Sequence, residues 1–176
     1  MSTEWVVVTG APSSGISSVI KSLEDMHFPV VHEMAREVIS EGLTQGLSLS
    51  EIRSDEVAFQ KKVFDRKFEL ESTINPCVLR FWDRALPDSV VYIQQNGGDA
   101  SAELSKCLRG VYKQVFFMDP LGWHDDGVRN ENPALREALG LGLQKIYADL
   151  GYKIICVPAT LDVEQRKNLL LKCLFY

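Results

Sequence analysis

Five short apolar runs recur along the chain, each parted from the next by a longer stretch of helical pattern: "EWVVVT" (4–9), "FPVVHE" (28–33), "CVLRFWD" (77–83), "QVFFMD" (114–119) and "YKIICVP" (152–158). Four of them are almost continuously apolar rather than alternating. A strand of that kind has to be covered on both faces, as in a parallel sheet sandwiched by helices. The strand–helix alternation therefore predicts a three-layer α/β fold with right-handed crossovers. The 176 residues suit one domain spanning 1–176 with a sizeable core. No internal repeat, low-complexity tract or linker divides them.

Helices are expected over about 15–25 and over "EMAREVISEGL" (33–43), where Met34, Val38 and Ile39 form a stripe. A long helix is expected from about 50 to 72, behind a capping-box pattern from Ser48 to Glu51. Its apolar positions Val57, Val63, Phe64 and Phe68 make only a partial stripe. Others are expected at 87–95, 100–110 and 133–149, the last stopping near Gly151. The final one starts at Asp162, an N-cap candidate, and ends in the apolar "LLLKCLFY", which reads as a buried helix face or a self-association contact.

In such a sheet, ligands gather at the carboxyl ends of the strands. The polar outliers of this chain fall there: Gly10–Ser18, Glu33 with Arg36, Asp83 with Arg84, Asp119–Arg129, and Pro158–Thr160 each follow one of the runs. The first is the most informative. "VVVTGAPSSGISSVI" (6–20) carries the spacing of a phosphate-binding loop between a buried strand and a helix. Gly10 and Gly15 allow a tight turn and close backbone approach, and Ala11, Pro12, Ser13, Ser14 and Ser18 complete the loop. Its amides and the helix N-terminus are expected to cradle phosphate, with the Ser17 hydroxyl placed for Mg²⁺. The lysine slot holds Ile16. That lysine normally bridges the outer phosphates and offsets charge during phosphoryl transfer. Its absence threatens catalysis more than binding, unless Arg36, Arg84 or Arg129 takes its place. Lys21 lies too far along the helix. The other reading of the loop is a Ser/Gly-rich turn with no ligand.

Composition narrows the partners. The net charge is −5 and no Lys/Arg block appears, against broad binding to nucleic acid or an anionic membrane surface. No run approaches the roughly 20 apolar residues of a membrane span, and the N-terminal stretch enters a strand directly, unlike a secretory signal. Cys77, Cys107, Cys156 and Cys173 have no zinc-site spacing. They read as small reduced core residues of a cytoplasmic protein, two of them in buried strands.

The ordered set "VVVTGAPSSG", "FPVVHEMAREVI", "FWDRALPDSVVY", "VFFMDPL…DDGVR", "YADLGYKIICVPA" and "DVEQR" resembles the P-loop AAA/ATPase-like family, related to the kinase domain of ribosylnicotinamide kinases and more distantly to thymidylate-kinase-type enzymes. The resemblance covers nearly the whole chain and implies a five-stranded parallel sheet, with ATP or GTP and Mg²⁺ as cofactors. It implies roles residue by residue. Gly10, Gly15 and Ser17 hold phosphate and metal. Glu33 is a general base for the acceptor hydroxyl, or a helix N-terminal acid. Arg36 holds the acceptor or its phosphate, or is a solvated helix residue. Asp83 holds Mg²⁺ or acts as base, and Arg84 clamps a phosphate; otherwise the two cap the next helix as a local pair. Asp88 and Tyr92, at i,i+4 spacing, border the acceptor, or Tyr92 is a packing residue. "DPLGWHDDGVRNEN" resembles a lid, at 120–132, whose closure brings Arg129 onto the phosphates. His124 in it is a metal or acid-base candidate or a surface histidine, and Asp125 and Asp126 read as loop and cap residues rather than metal ligands. Pro158 sits beside the base, and Arg166 stacks there or is solvated. Three functions remain open: an ATP- or GTP-dependent phosphotransferase acting on a small hydroxyl or nucleoside-like acceptor, a nucleotide-binding or interaction module without turnover, and a stable domain whose loop no longer takes a ligand.

Overall fold

A computed structural model of the chain describes residues 3–107, 112–121 and 133–175. Five strands form one sheet: β1 (Trp5–Thr9), β2 (Val30–Val31), β3 (Arg80–Asp83), β4 (Gln114–Met118) and β5 (Ile154–Val157). Every pairing is parallel, in the order β2-β3-β1-β4-β5. The helices are α1 (Ile16–Asp25), α2 (Met34–Thr44), α3 (Leu49–Ile52), α4 (Glu56–Thr73), α5 (Leu86–Gln95), α6 (Ser101–Cys107), α7 (Pro133–Asp149) and α8 (Val163–Phe175). This is the expected α/β architecture. The central strand is β1, and the connection from β3 to β4 crosses over it, so the switch point lies where the glycine-rich loop begins.

Side chains alternate along each central strand and feed two cores. Val6, Val8, Phe81, Phe116 and Met118 pack with α1 and α8 through Ile16, Val19, Ile20, Leu23 and Leu170. Trp5, Val7, Trp82, Val115 and Phe117 pack with Leu86, Val90, Ile93, Leu143 and Tyr147 on the other face. Both faces being dry explains why these strands read as continuous apolar runs. Met34, Val38, Phe59 and Val63 form a smaller cluster between α2 and α4.

Several local expectations are corrected. The long helix from 50 to 72 is two helices. Ser48 and Glu51 do form the capping box, but it closes only the short α3, and Asp55 starts α4 afresh by accepting from the Ala58 amide at 2.9 Å. The second, third and fifth strands are shorter than their apolar runs. Cys77, Cys156 and Cys173 are exposed, and only Cys107 is buried. Cys77 precedes β3, and Cys156 lies on β5, which has no strand on its outer side among the described residues. Asp162 caps α8 as expected, accepting from the Gln165 amide at 2.8 Å. In the apolar tail Leu170 is buried, while Phe175 is exposed and stacks on Phe28. No helix among the described residues is long and apolar enough to cross a membrane.

One polar contact in the larger core makes stability depend on pH. Burial lifts the Glu71 carboxyl from its ordinary 4.5 to about 7, opposed by the hydrogen bond it accepts from the Tyr112 hydroxyl. Folded protein keeps a proton there that the unfolded chain releases between about pH 4.5 and 7, so stability falls as pH rises through that window. Glu71→Gln keeps an acceptor for Tyr112 without the charge. Relative to wild type it is expected to gain up to roughly 3 kcal/mol between about pH 5 and about pH 8, read by chemical denaturation across the range. A difference that stays constant with pH would contradict this.

Candidate functional site

The loop from Gly10 to Ser18 joins the buried β1 to α1, and its backbone follows from residue size. A Cβ on Gly10 would lie 2.6 Å from the Met118 carbonyl oxygen and 2.8 Å from Ser14 Oγ, so β4 and the loop close over this position only with glycine. Gly15 has φ of 80° and is the N-cap of α1, a left-handed conformation that costs little without a side chain. Ser13 is also left-handed, at φ 63°. No side chain among the described residues caps α1, which leaves its first-turn amides for whatever enters the loop. Successive amides in such a turn make a concave anion site, reinforced by the helix dipole. Ser14 is buried, and its Oγ has no hydrogen-bond partner among the described residues.

A cavity of about 590 Å³ opens on this loop, lined by Pro12 through Ser18 together with Glu33, Arg36, Asp83, Arg84 and Leu121. Ser17 donates to Asp83 Oδ2 at 3.1 Å, bringing the hydroxyl after β1 against the carboxylate that ends β3. Burial raises Asp83 from its ordinary 3.8 to about 6, with the adjacent Arg84 guanidinium pulling the other way. Ile16 lines this cavity and is buried in the core against Val19 and Ile20, so an apolar wall stands in the lysine slot.

A second cavity of about 310 Å³ adjoins the first. Glu33, Arg36, Arg84 and Pro12 line both. Its remaining wall comes from α2, α4 and α5, with Arg53 from the turn between α3 and α4, and includes Phe59, Gln60, Lys67, Asp88 and Tyr92. Glu33 is the N-cap of α2 and accepts from Arg36 Nε at 2.8 Å, while Arg84 Nε lies 3.5 Å from its other oxygen. Arg84 has a left-handed backbone, φ 66°, a strained state for a residue with a side chain. Its Nη1 donates to the Gly10 carbonyl at 2.6 Å, and its guanidinium lies over the Tyr92 ring at 5.8 Å. The turn after β3 thus locks onto the start of the phosphate loop.

The sequence-predicted residues Pro12 to Ser18, Glu33, Arg36, Asp83, Arg84, Asp88 and Tyr92 therefore converge on two adjoining cavities, while Gly10 and Ala11 line neither. Asp88 is more deeply engaged than expected: it accepts from Thr9 Oγ1, from the Ala85 amide at 3.0 Å and from the Tyr147 hydroxyl at 2.6 Å. Pro158 is exposed at the end of β5 and lines neither cavity. Arg129, His124, Asp125, Asp126 and most of the expected lid lie outside the described residues. Lys21 pairs with Glu24 and Asp25 on the surface.

Of the cations around the site, Lys67 and Arg53 were not named from the sequence, and Arg166 was named in a different role. Lys67 is buried in the wall of the smaller cavity and donates to the Ala85 carbonyl at 3.0 Å and Ser89 Oγ at 3.1 Å. Burial pulls its amine below the ordinary 10.5. The signal was its spacing, one turn beyond Val63 and Phe64 on the inward stripe of α4. Arg166, expected to stack beside the base or stand in solvent, is instead 2% exposed and donates to the Ser14 carbonyl at 2.7 Å. It lies four residues before the buried Leu170, on the same face of α8.

The sequence profile of the family described as AAA domain matches residues 5–166. No curated protein matches the chain in sequence. Among solved structures, deoxyadenosine kinase from M. mycoides with products dCMP and dCDP superposes with a TM-score of 0.66 at 12% identity, over 97% of this chain and 98% of that one. The NadR protein in complex with NR superposes with a TM-score of 0.73 at 16% identity, over 98% of this chain and 50% of that one, so the chain spans half of it. Thymidylate kinase from Candida albicans gives 0.63 at 14% identity, over 98% and 91%. At these identities the likeness is one of fold. The profile and the shared fold together place the chain in the AAA domain family, as a P-loop domain built like the nucleoside and nucleotide kinases.

Proposed function

We propose that the chain binds a nucleoside triphosphate with Mg²⁺ in the Gly10–Ser18 loop and a small hydroxyl-bearing or nucleoside-like acceptor in the adjoining cavity. The observation that carries this reading is the continuity of the two cavities through Glu33, Arg36 and Arg84. A donor phosphate on one side and an acceptor hydroxyl on the other meet at those three side chains.

The residues fit the implied groups. Gly10 lets the loop close against β4, Gly15 takes the left-handed turn, and Ser14 Oγ is a buried polar atom without a hydrogen-bond partner among the described residues. The Ser17–Asp83 pair is an oxygen donor set suited to Mg²⁺. When bound, Mg²⁺ screens the phosphate charge. The loop amides and the α1 N-terminus hold the phosphates. Arg84 and Arg36 turn guanidinium forks toward phosphate oxygens. Glu33, on the shared wall, takes the proton of the acceptor hydroxyl. The Phe59 and Tyr92 rings, each with an arginine over one face, and the Gln60 amide give the acceptor cavity the mixed apolar and polar lining that suits a heterocycle.

A second reading, binding without turnover, is favoured by Ile16, which supplies no charge where phosphoryl transfer builds it up. Melting temperature in the presence of ATP or GTP with Mg²⁺ tests what both readings share. Ligand at a hundredfold excess over its dissociation constant is expected to stabilise the protein by about 2.7 kcal/mol. No shift with either nucleotide at millimolar concentration would remove both.

A further inference from the structure

We infer that Arg166 is the positioning residue of the phosphate loop, holding the Ser14 carbonyl so that the Gly15 amide faces the anion and bringing to the loop the positive charge that Ile16 does not supply. This rests on the nucleotide-binding reading above.

Arg166 belongs to α8, yet it reaches the loop across 152 residues of chain. Its Nε donates to the Leu161 carbonyl at 3.0 Å, which fixes the guanidinium plane, and its Nη1 donates to the Ser14 carbonyl at 2.7 Å. The peptide bond between Ser14 and Gly15 is trans, as all described here are. In a trans peptide the C=O and N–H point in opposite directions. Anchoring the Ser14 oxygen on Arg166 therefore turns the Gly15 N–H away from α8. Gly15 lines the 590 Å³ cavity and Arg166 does not, so the side facing away from the guanidinium is the cavity side. Without the anchor, this peptide, flanked by left-handed Ser13 and Gly15, is free to flip and present its carbonyl, which repels phosphate.

The charge itself is the second half of the inference. Arg166 is 2% exposed, and its Nη2 has no hydrogen-bond partner among the described residues. It forms no ion pair among them; Asp119, at the end of β4, is the acid whose charge favours it. A buried cation with so little compensation is costly unless an anion comes near. A polyphosphate in the nest is such an anion, on the far side of a single peptide plane.

The test uses inorganic tripolyphosphate, which probes the nest without the base, and the full chain as wild type, Arg166→Met and Arg166→Lys. Calorimetry is expected to show roughly ten- to a hundredfold weaker binding for Arg166→Met, the size of one lost charge-assisted contact, with a flatter dependence on salt. Arg166→Lys is expected to restore the salt dependence and part of the affinity. An arginine that merely braces α8 leaves the salt dependence as in wild type, and that result overturns the inference, as does wild-type affinity in Arg166→Met. Should Arg166→Met not fold, the wild-type Gly15 amide resonance decides: it is expected to move on addition of tripolyphosphate, and a resonance that stays put overturns the inference. Wild type that does not bind tripolyphosphate removes this inference and the nucleotide reading together, whereas equal binding by all three proteins removes this one alone.

Discussion

Ile16→Lys is expected to tighten binding of a nucleoside triphosphate about ten- to a hundredfold and to raise any phosphoryl transfer by about 10²–10³-fold. The first figure is the range for a charge-assisted contact to an outer phosphate oxygen. The second is the range for one electrostatic contact made in the transition state. The residue is placed for both, because it lines the loop cavity while its branched side chain packs into the core beneath α1. A lysine stem can cover the same apolar surface and send its ammonium into the cavity, so the loss of folding stability is limited to about 1–3 kcal/mol. Titration calorimetry, a transfer assay with candidate nucleosides and urea denaturation measure the three effects separately. Transfer by the variant but not by wild type selects the reading in which the chain binds and does not turn over. Transfer by both selects the enzyme. Binding no tighter than wild type would mean that position 16 does not face phosphate.

Asp88→Ala is expected to destabilise the fold by roughly 3–5 kcal/mol, more than any other single carboxylate described here. The side chain is buried and serves three donors from three places: the Thr9 hydroxyl at the end of β1, the Ala85 amide at the start of α5 and the Tyr147 hydroxyl on α7. Removing it strands three buried polar groups. Asp88→Asn keeps the shape but replaces one acceptor by a donor among donors, so it is expected to cost most of the same amount. Tyr147→Phe, which deletes one of the three bonds, costs about 1–2 kcal/mol. Denaturant midpoints of the three variants check the order Ala, Asn, Phe. An Asp88→Ala protein as stable as wild type would show that the carboxylate serves a ligand and not the scaffold.

The phosphate loop was legible in the sequence because its chemistry is local. Glycine spacing, a preceding apolar run and a following helix occupy one stretch of chain. The shared wall was legible for a related reason: in a parallel sheet the residues just after each strand arrive at one edge, so Glu33, Arg36 and Arg84, with Asp83 beside them, group from sequence alone. Lys67 and Arg166 were not grouped with them. Each lies inside a helix, where a lone cation reads as solvated unless its neighbours at three and four residues are weighed with it. The break at 53–55 was also visible in principle, since Asp55 is a good cap, but the stronger Ser48–Glu51 pattern just upstream masked it. Exposure of Cys156 could not be read from its apolar run, because which strand forms the edge depends on sheet order, a property of the whole chain.

The wall that Glu33, Arg36 and Arg84 form between the two cavities has a thermodynamic corollary. Each of these charges lines both compartments, and both arginines pair with the same carboxylate, so an anion that engages the arginines on one side would compete with Glu33 on the other. If the two cavities take donor and acceptor as proposed, their affinities are linked: whatever factor the first ligand imposes on the second, the second imposes on the first.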